Sequence, residues 1–151
     1  MHGDEGARMR STTFLRIAAI ITLLYFAGHT SGIPWTPDTG LEAAPVIEAM
    51  KGHSFDVVGS MRTYWDFYEG FGIAISLFLL VLAVVLWQLG SVAKTDAMRV
   101  RPIVVSFFLA FLVNTVLAWK YFFAIPAVMS AAISVCLALA FITAGRSKVS
   151  Q

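Results

Sequence analysis

The sequence predicts an all-α membrane protein, a four-helix transmembrane bundle, on three observations. Four apolar stretches near residues 14–32, 68–89, 103–123 and 126–143 take up more than half of the 151-residue chain, and each is close to the ~20 residues an α-helix needs to cross a bilayer. Mean hydropathy is +0.78, and charged residues are 13% of the chain, about half the share of a soluble domain. The charges are also sorted by connection. Segments this apolar satisfy their backbone groups in lipid only as helices, so the chain reads as one integral membrane domain over 1–151.

Sorting of the charges sets the topology. Of the 11 basic residues, Arg8, Arg10, Arg16, Lys94, Arg99, Arg101, Arg146 and Lys148 lie at one end of the spans, leaving Lys51, Arg62 and Lys120 at the other. Six of the nine acids, Asp38, Glu42, Glu48, Asp56, Asp66 and Glu69, share that second end. By the positive-inside rule both termini and the 91–102 connection face the cytoplasm, as an even number of spans requires. Scattered at helix ends, the basic residues make no nucleic-acid footprint.

The first span is read as retained. Arg8, Arg10 and Arg16 ahead of Ile17–Ala27 resemble the charged and apolar parts of a secretory signal, but the run closes Ala27-Gly28-His29-Thr30-Ser31-Gly32 without a small-x-small cleavage site. Its polar face is Thr22, Tyr25, His29 and Gly32, at three- and four-residue spacing.

Between the first two spans lies an extracytoplasmic cap, residues 33–63, long enough to have structure of its own. Pro34, Pro37, Gly40 and Pro45 punctuate its beginning. Then Val46, Ile47 and Met50 fall on one side of a short interfacial helix, Glu48 and Lys51 fall on the other, and Gly52 stops it. Trp35, Tyr64 and Trp65 bracket the cap as an aromatic belt.

Charge enters the second span through the run 62–72 (RTYWDFYEGFG). Arg62, Asp66 and Glu69 are spaced to share one helix face, either as a stabilising ladder or as a working pair of carboxylates. Glu69, at or about one turn below the interface, is costly as an ion unless paired or wetted, and this makes it a candidate proton carrier. In the third span Asn114, Ala118 and Tyr121 form a small and polar stripe, ending beside Trp119 and Lys120. Asn114 reads as a bond to a neighbouring helix, and Lys120 either snorkels to the surface or pairs with Glu69. The fourth span offers Ser130, Ser134 and Ala138, a small-xxx-small packing seam.

Little else carries chemistry. His2, His29 and His53 are unpaired in sequence, and Cys136 is the single cysteine, so the pattern predicts no metal, no cofactor and no intrachain disulfide. Gly70 and Gly72 precede no Lys-Ser/Thr and form no phosphate loop.

The run 27–35 (AGHTSGIPW), with 62–72 and 94–102 (KTDAMRVRP), resembles a family of small bacterial four-span membrane proteins of uncharacterised function, across about residues 12–143. That resemblance implies the four-helix membrane fold and no activity. His29-Thr-Ser-Gly-Ile-Pro34 and Trp65 with Glu69 are similar, more weakly, to the sterol-isomerase and sigma-2-receptor group. There the likeness implies acids in a lipophilic pocket, proton shuttling at Glu69 and stabilisation of a cation by Trp119 or Asn114.

The leading expectation is a lipophilic small molecule or lipid held between the spans in a bacterial cytoplasmic membrane, with Glu69 and His29 as polar anchors. Tyr25, Tyr64, Trp65, Tyr68 and Trp119 would line that site, with Asp66 and Asn114 near it. A proton-shuttling isomerase would use Glu69, Asp66 or His29 catalytically. Two other classes are a transporter component, suggested by the intramembrane acid, and a membrane assembly partner or homo-oligomer, suggested by the small-residue fourth helix.

Overall fold

The computed structural model describes residues 2–35 and 40–145, with side chains from residue 5 onward. Pro37, Asp38, Arg146, Lys148 and the side chain of His2 lie outside the described residues. The fold class is all-α, with a minor two-stranded sheet. In chain order the elements are α1 (His2–Ser31), α2 (Ala43–Gly52), β1 (Ser54–Val57), β2 (Ser60–Thr63), α3 (Tyr64–Ala93), α4 (Ala97–Tyr121) and α5 (Ala124–Gly145). Helices α1, α3, α4 and α5 are long and apolar enough to cross a membrane.

The helices outrun the apolar stretches. α1 and α3 have 30 residues each, about 45 Å of helix against a hydrocarbon core of ~30 Å. Helix formation depends on backbone pairing and not on hydropathy, so α1 continues outward through its polar N-terminal segment. Sequence also sets the ends of α3 and α4. Thr63 and Asp66 form a reciprocal capping box, in which the Thr63 amide donates to Asp66 Oδ2 at 2.7 Å and the Asp66 amide to Thr63 Oγ1 at 3.1 Å. Asp66 is therefore used in starting a helix. Asp96 caps α4 by accepting from the Arg99 amide at 3.1 Å.

The chain divides into two compact units. The first, residues 1–25 and 79–151, packs α1, the second half of α3, α4 and α5 into a four-helix bundle. Ser11, Leu15, Ala18 and Thr22 present one buried stripe of α1, and Leu79, Ala83, Leu86 and Ala93 one of α3. Val100, Val104, Phe111 and Ala118 follow four- and seven-residue steps on α4, meeting Ser130, Ile133, Ser134, Leu137 and Ala140 of α5. Ser130 and Ser134 of the expected small-residue seam are thus buried. Ser11 Oγ donates to the Ala140 carbonyl at 3.1 Å, tying α1 to α5. Large apolar side chains on the outside, among them Val84, Leu112, Val113 and Val116, remain exposed, as a surface solvated by lipid requires.

The second unit, residues 26–78, holds the end of α1, the cap and the first half of α3. The short helix expected around Val46–Lys51 is α2, ending at Gly52 with the His53 amide donating to the Ala49 carbonyl. A β-hairpin, not foreseen, follows it: Ser54 pairs with Thr63 and Val57 with Ser60 in an antiparallel ladder. Its two-residue turn, Val58-Gly59, has positive φ at both positions, 51° and 80°, the signature of the mirror-image turns whose twist matches paired strands.

Candidate functional site

The densest polar arrangement in the second unit joins the last turn of α1 to α3. α1 stops at Ser31, and the Trp35 amide donates back to the Gly32 carbonyl. This turn, containing the cis Ile33–Pro34 peptide, swings the Trp35 indole over the helix end. There its Nε1 donates at 2.7 Å to the His29 carbonyl, which also accepts from the Gly32 amide at 3.2 Å. The indole lies against Gly72, and the Tyr68 hydroxyl donates to the Trp35 carbonyl.

Beneath Trp35, His29 Nδ1 and Thr30 Oγ1 both meet Ser76 Oγ at 3.0 Å. Thr30 Oγ1 donates to Ser76 Oγ, and a hydroxyl so engaged can serve His29 Nδ1 as donor or as acceptor, according to the imidazole tautomer. Ser76 is buried, whereas His29 is half-buried with its ring 5.2 Å from that of Trp35. The described residues supply no hydrogen-bond partner for Nε2. The imidazole is therefore held in orientation, with Nε2 left to offer to a ligand.

Glu69 is half-buried on the same α3 face as Trp65, Gly72 and Ser76, which follow a heptad-like spacing. Gly72, under Trp35, is about one turn from each of Glu69 and Ser76. Of the ladder expected from Arg62 through Asp66 to Glu69, only the charge of Arg62 acting on Asp66 is present. Arg62 belongs to β2, so helical spacing does not apply to it; its Nη1 donates to the Met61 carbonyl at 2.7 Å. Asp66 is engaged with Thr63, and no ion pair reaches Glu69 among the described residues.

The other expected residues occupy several places. Tyr64 stacks on His53 and packs against Phe55, which in turn stacks on Phe67, fastening the hairpin to the outer side of α3. Trp65 lies under the Lys51 ammonium at 4.4 Å and beside Tyr68 at 5.6 Å. In the first unit, Asn114 Nδ2 donates to Ser130 Oγ at 2.8 Å, and Tyr25 lies beside both. This bond joins α4 and α5, with Tyr25 of α1 beside it. Trp119 is 74% exposed, as suits a membrane-interface aromatic, and Lys120 sits 5.0 Å over the ring of Tyr121.

Thr30, Trp35, Gly72 and Ser76 were not among the expected site residues. Ser76 had one available signal: it is a lone polar residue in an apolar run, on the helix face of Glu69. No group of three or more His, Cys, Asp and Glu side chains is arranged to hold a metal among the described residues. No family model, curated protein or solved structure matches the chain.

Proposed function

We propose that this multi-pass membrane protein binds a lipophilic small molecule or a lipid where α1 ends and α3 begins, with His29 and Glu69 as its polar anchors. The observation that supports this reading is His29. Its ring is held by Ser76 and Trp35, and its Nε2 has no hydrogen-bond partner among the described residues. An apolar ligand with one hydroxyl would meet a pre-oriented hydrogen-bonding nitrogen there, and sites of this kind combine an apolar lining with few directed polar groups. Glu69, on the same face, would supply an acceptor. The charge distribution supports an orientation with both termini and the 91–102 connection cytoplasmic and this site extracytoplasmic, and the likeness to small bacterial four-span proteins supports a bacterial cytoplasmic membrane as its location.

A proton-transferring enzyme of the isomerase kind is the second reading, favoured by the Thr30–Ser76–His29 chain of hydroxyls and imidazole. Such a chain relays a proton without moving a heavy atom, and Glu69 would be the second acid or base. The similarity of His29–Pro34 and of Trp65 with Glu69 to the sterol-isomerase group points in this direction.

Native mass spectrometry of the detergent-purified protein tests the binding reading. The wild type is expected to carry a stoichiometric small molecule that Glu69→Gln and His29→Gln lose while remaining folded by circular dichroism. Wild type arriving bare, or all three proteins retaining the same molecule, would refute it.

A further inference from the structure

Arg101, in the second turn of α4, stands outside the site described above. Its guanidinium is 4.0 Å from the centroid of the Phe141 ring, stacked over one apolar side. Gly145 closes on it so tightly that a Cβ there would lie 3.3 Å from Cζ and from Nη2. The group has five N–H donors. Among the described residues its one acceptor is the Met98 thioether, 3.9 Å from Nη1, a weak partner, and its Nε is buried with none. No carboxylate among the described residues pairs with it.

A guanidinium held this way is desolvated on two sides and still has strong donors to satisfy, so it favours an external anion. Its depth identifies the kind of anion. Arg101 immediately precedes Pro102 and the apolar run from Ile103, and lies against the final residue of α5, so the guanidinium is at the edge of the apolar span, where lipid phosphates lie. This end of the bundle also has Arg10, Lys94 and Arg99 exposed, and Arg8 bonded to the Thr95 carbonyl. Of the nearby acids whose side chains are described, Asp96 is occupied in capping α4 and Glu5 is exposed. The field therefore selects anions.

Arg16 repeats the pattern. Its guanidinium is 4.9 Å from the centroid of the Trp87 ring, and its Nε is buried without a partner. Both arginines are on helices whose N-termini lie at this end of the bundle, and helical side chains lean toward the N-terminus. Both are thus built to reach outward to the same headgroup layer.

We propose that Arg101, backed by Phe141 and Gly145, is a binding site for the phosphate of an anionic phospholipid. The test uses the full chain in nanodiscs of phosphatidylcholine with or without phosphatidylglycerol, read by lipid retention in native mass spectrometry and by thermal unfolding. Wild type is expected to retain phosphatidylglycerol preferentially and to unfold at a higher temperature in its presence. Arg101→Gln should weaken retention about fivefold, the worth of one basic residue at an anionic surface. Arg101→Lys, which keeps the charge and loses the planar stack, should fall between the two.

Arg99→Gln, removing an exposed charge from the same end, should have the smaller effect. An equal loss in Arg99→Gln and Arg101→Gln would overturn the site in favour of diffuse surface charge. Unchanged retention in folded Arg101→Gln would overturn it as well. Stabilisation by inorganic phosphate alone in phosphatidylcholine discs, equal to that by phosphatidylglycerol, would overturn the lipid assignment.

Discussion

The indole of Trp35 lies directly on Gly72, so close that a Cβ at position 72 would be 2.6 Å from Trp35 Cε3. Real Cβ atoms do not approach a ring carbon that closely. The absence of a side chain at position 72 is therefore what lets Trp35 reach back to the His29 carbonyl and cover the level of α3 between Glu69 and Ser76. One glycine thus couples the turn after α1 to the face of α3 that has the polar residues.

Gly72→Ala is expected to destabilise the second unit by about 1–3 kcal/mol, the usual range for overpacking, and to shift Trp35 toward water. Gly70 supplies the control, because a Cβ there meets nothing within 4 Å. Gly70→Ala should be neutral or stabilising by up to about 1 kcal/mol from helix propensity alone. Tryptophan emission followed through a denaturant titration separates the two, and equal behaviour of the variants would contradict the packing described.

The spans were legible in the sequence because their signal is local: hydropathy over about 20 residues decides whether a helix enters lipid. Short-range spacing also foretold α2 and the bond from Asn114 to a neighbouring helix. The same spacing argument failed at Arg62 and Asp66. It assumes one helix through both residues, and the capping box starts α3 only after Thr63, leaving Arg62 in a strand. The hairpin was hidden because Val58-Gly59 lacks the Asn-Gly or Asp-Gly pair that announces a two-residue turn. The meeting of His29 with Ser76 spans 47 residues and depends on how two helices pack, so no local period in the sequence encodes it.

Since the capping box positions the start of α3, Thr63→Ala is expected to cost about 1 kcal/mol. Asp66→Ala should destabilise in the same direction. The double variant should lose less than the sum of the two, because each side chain caps the other's backbone amide. Any bound small molecule should survive Asp66→Asn at high protein concentration, where Glu69→Gln loses it. A loss in Asp66→Asn as complete as that in Glu69→Gln would return Asp66 to the candidate site.

The Asn114–Ser130 bond joins α4 and α5 in the apolar interior of the first unit, beside Tyr25 of α1. Hydrogen bonds between membrane helices contribute about 0.6 kcal/mol on average and up to about 1.7 kcal/mol. Asn114→Ala should fall within that range, because it leaves the buried Ser130 hydroxyl short of a partner. A double-mutant cycle of Asn114→Ala with Ser130→Ala, measured by unfolding in mixed micelles, should show positive coupling. Strict additivity would mean that the two side chains do not interact.

Val58 is fully exposed at the tip of the hairpin with φ of 51°, a conformation that crowds a β-branched side chain. Backbone strain of this kind typically costs about 1–3 kcal/mol, and no burial of the Val58 side chain offsets it. Asn tolerates the left-handed region far better and would make the turn Asn-Gly. Val58→Asn should therefore stabilise the hairpin by about 1 kcal/mol, while Gly59→Ala, at φ of 80°, should weaken it. Amide hydrogen exchange over residues 54–63 reads the hairpin separately from the spans. Slower exchange in Val58→Asn with ligand retention intact would mean that the strained valine is incidental to the site, whereas slower exchange with ligand lost would tie this turn to binding.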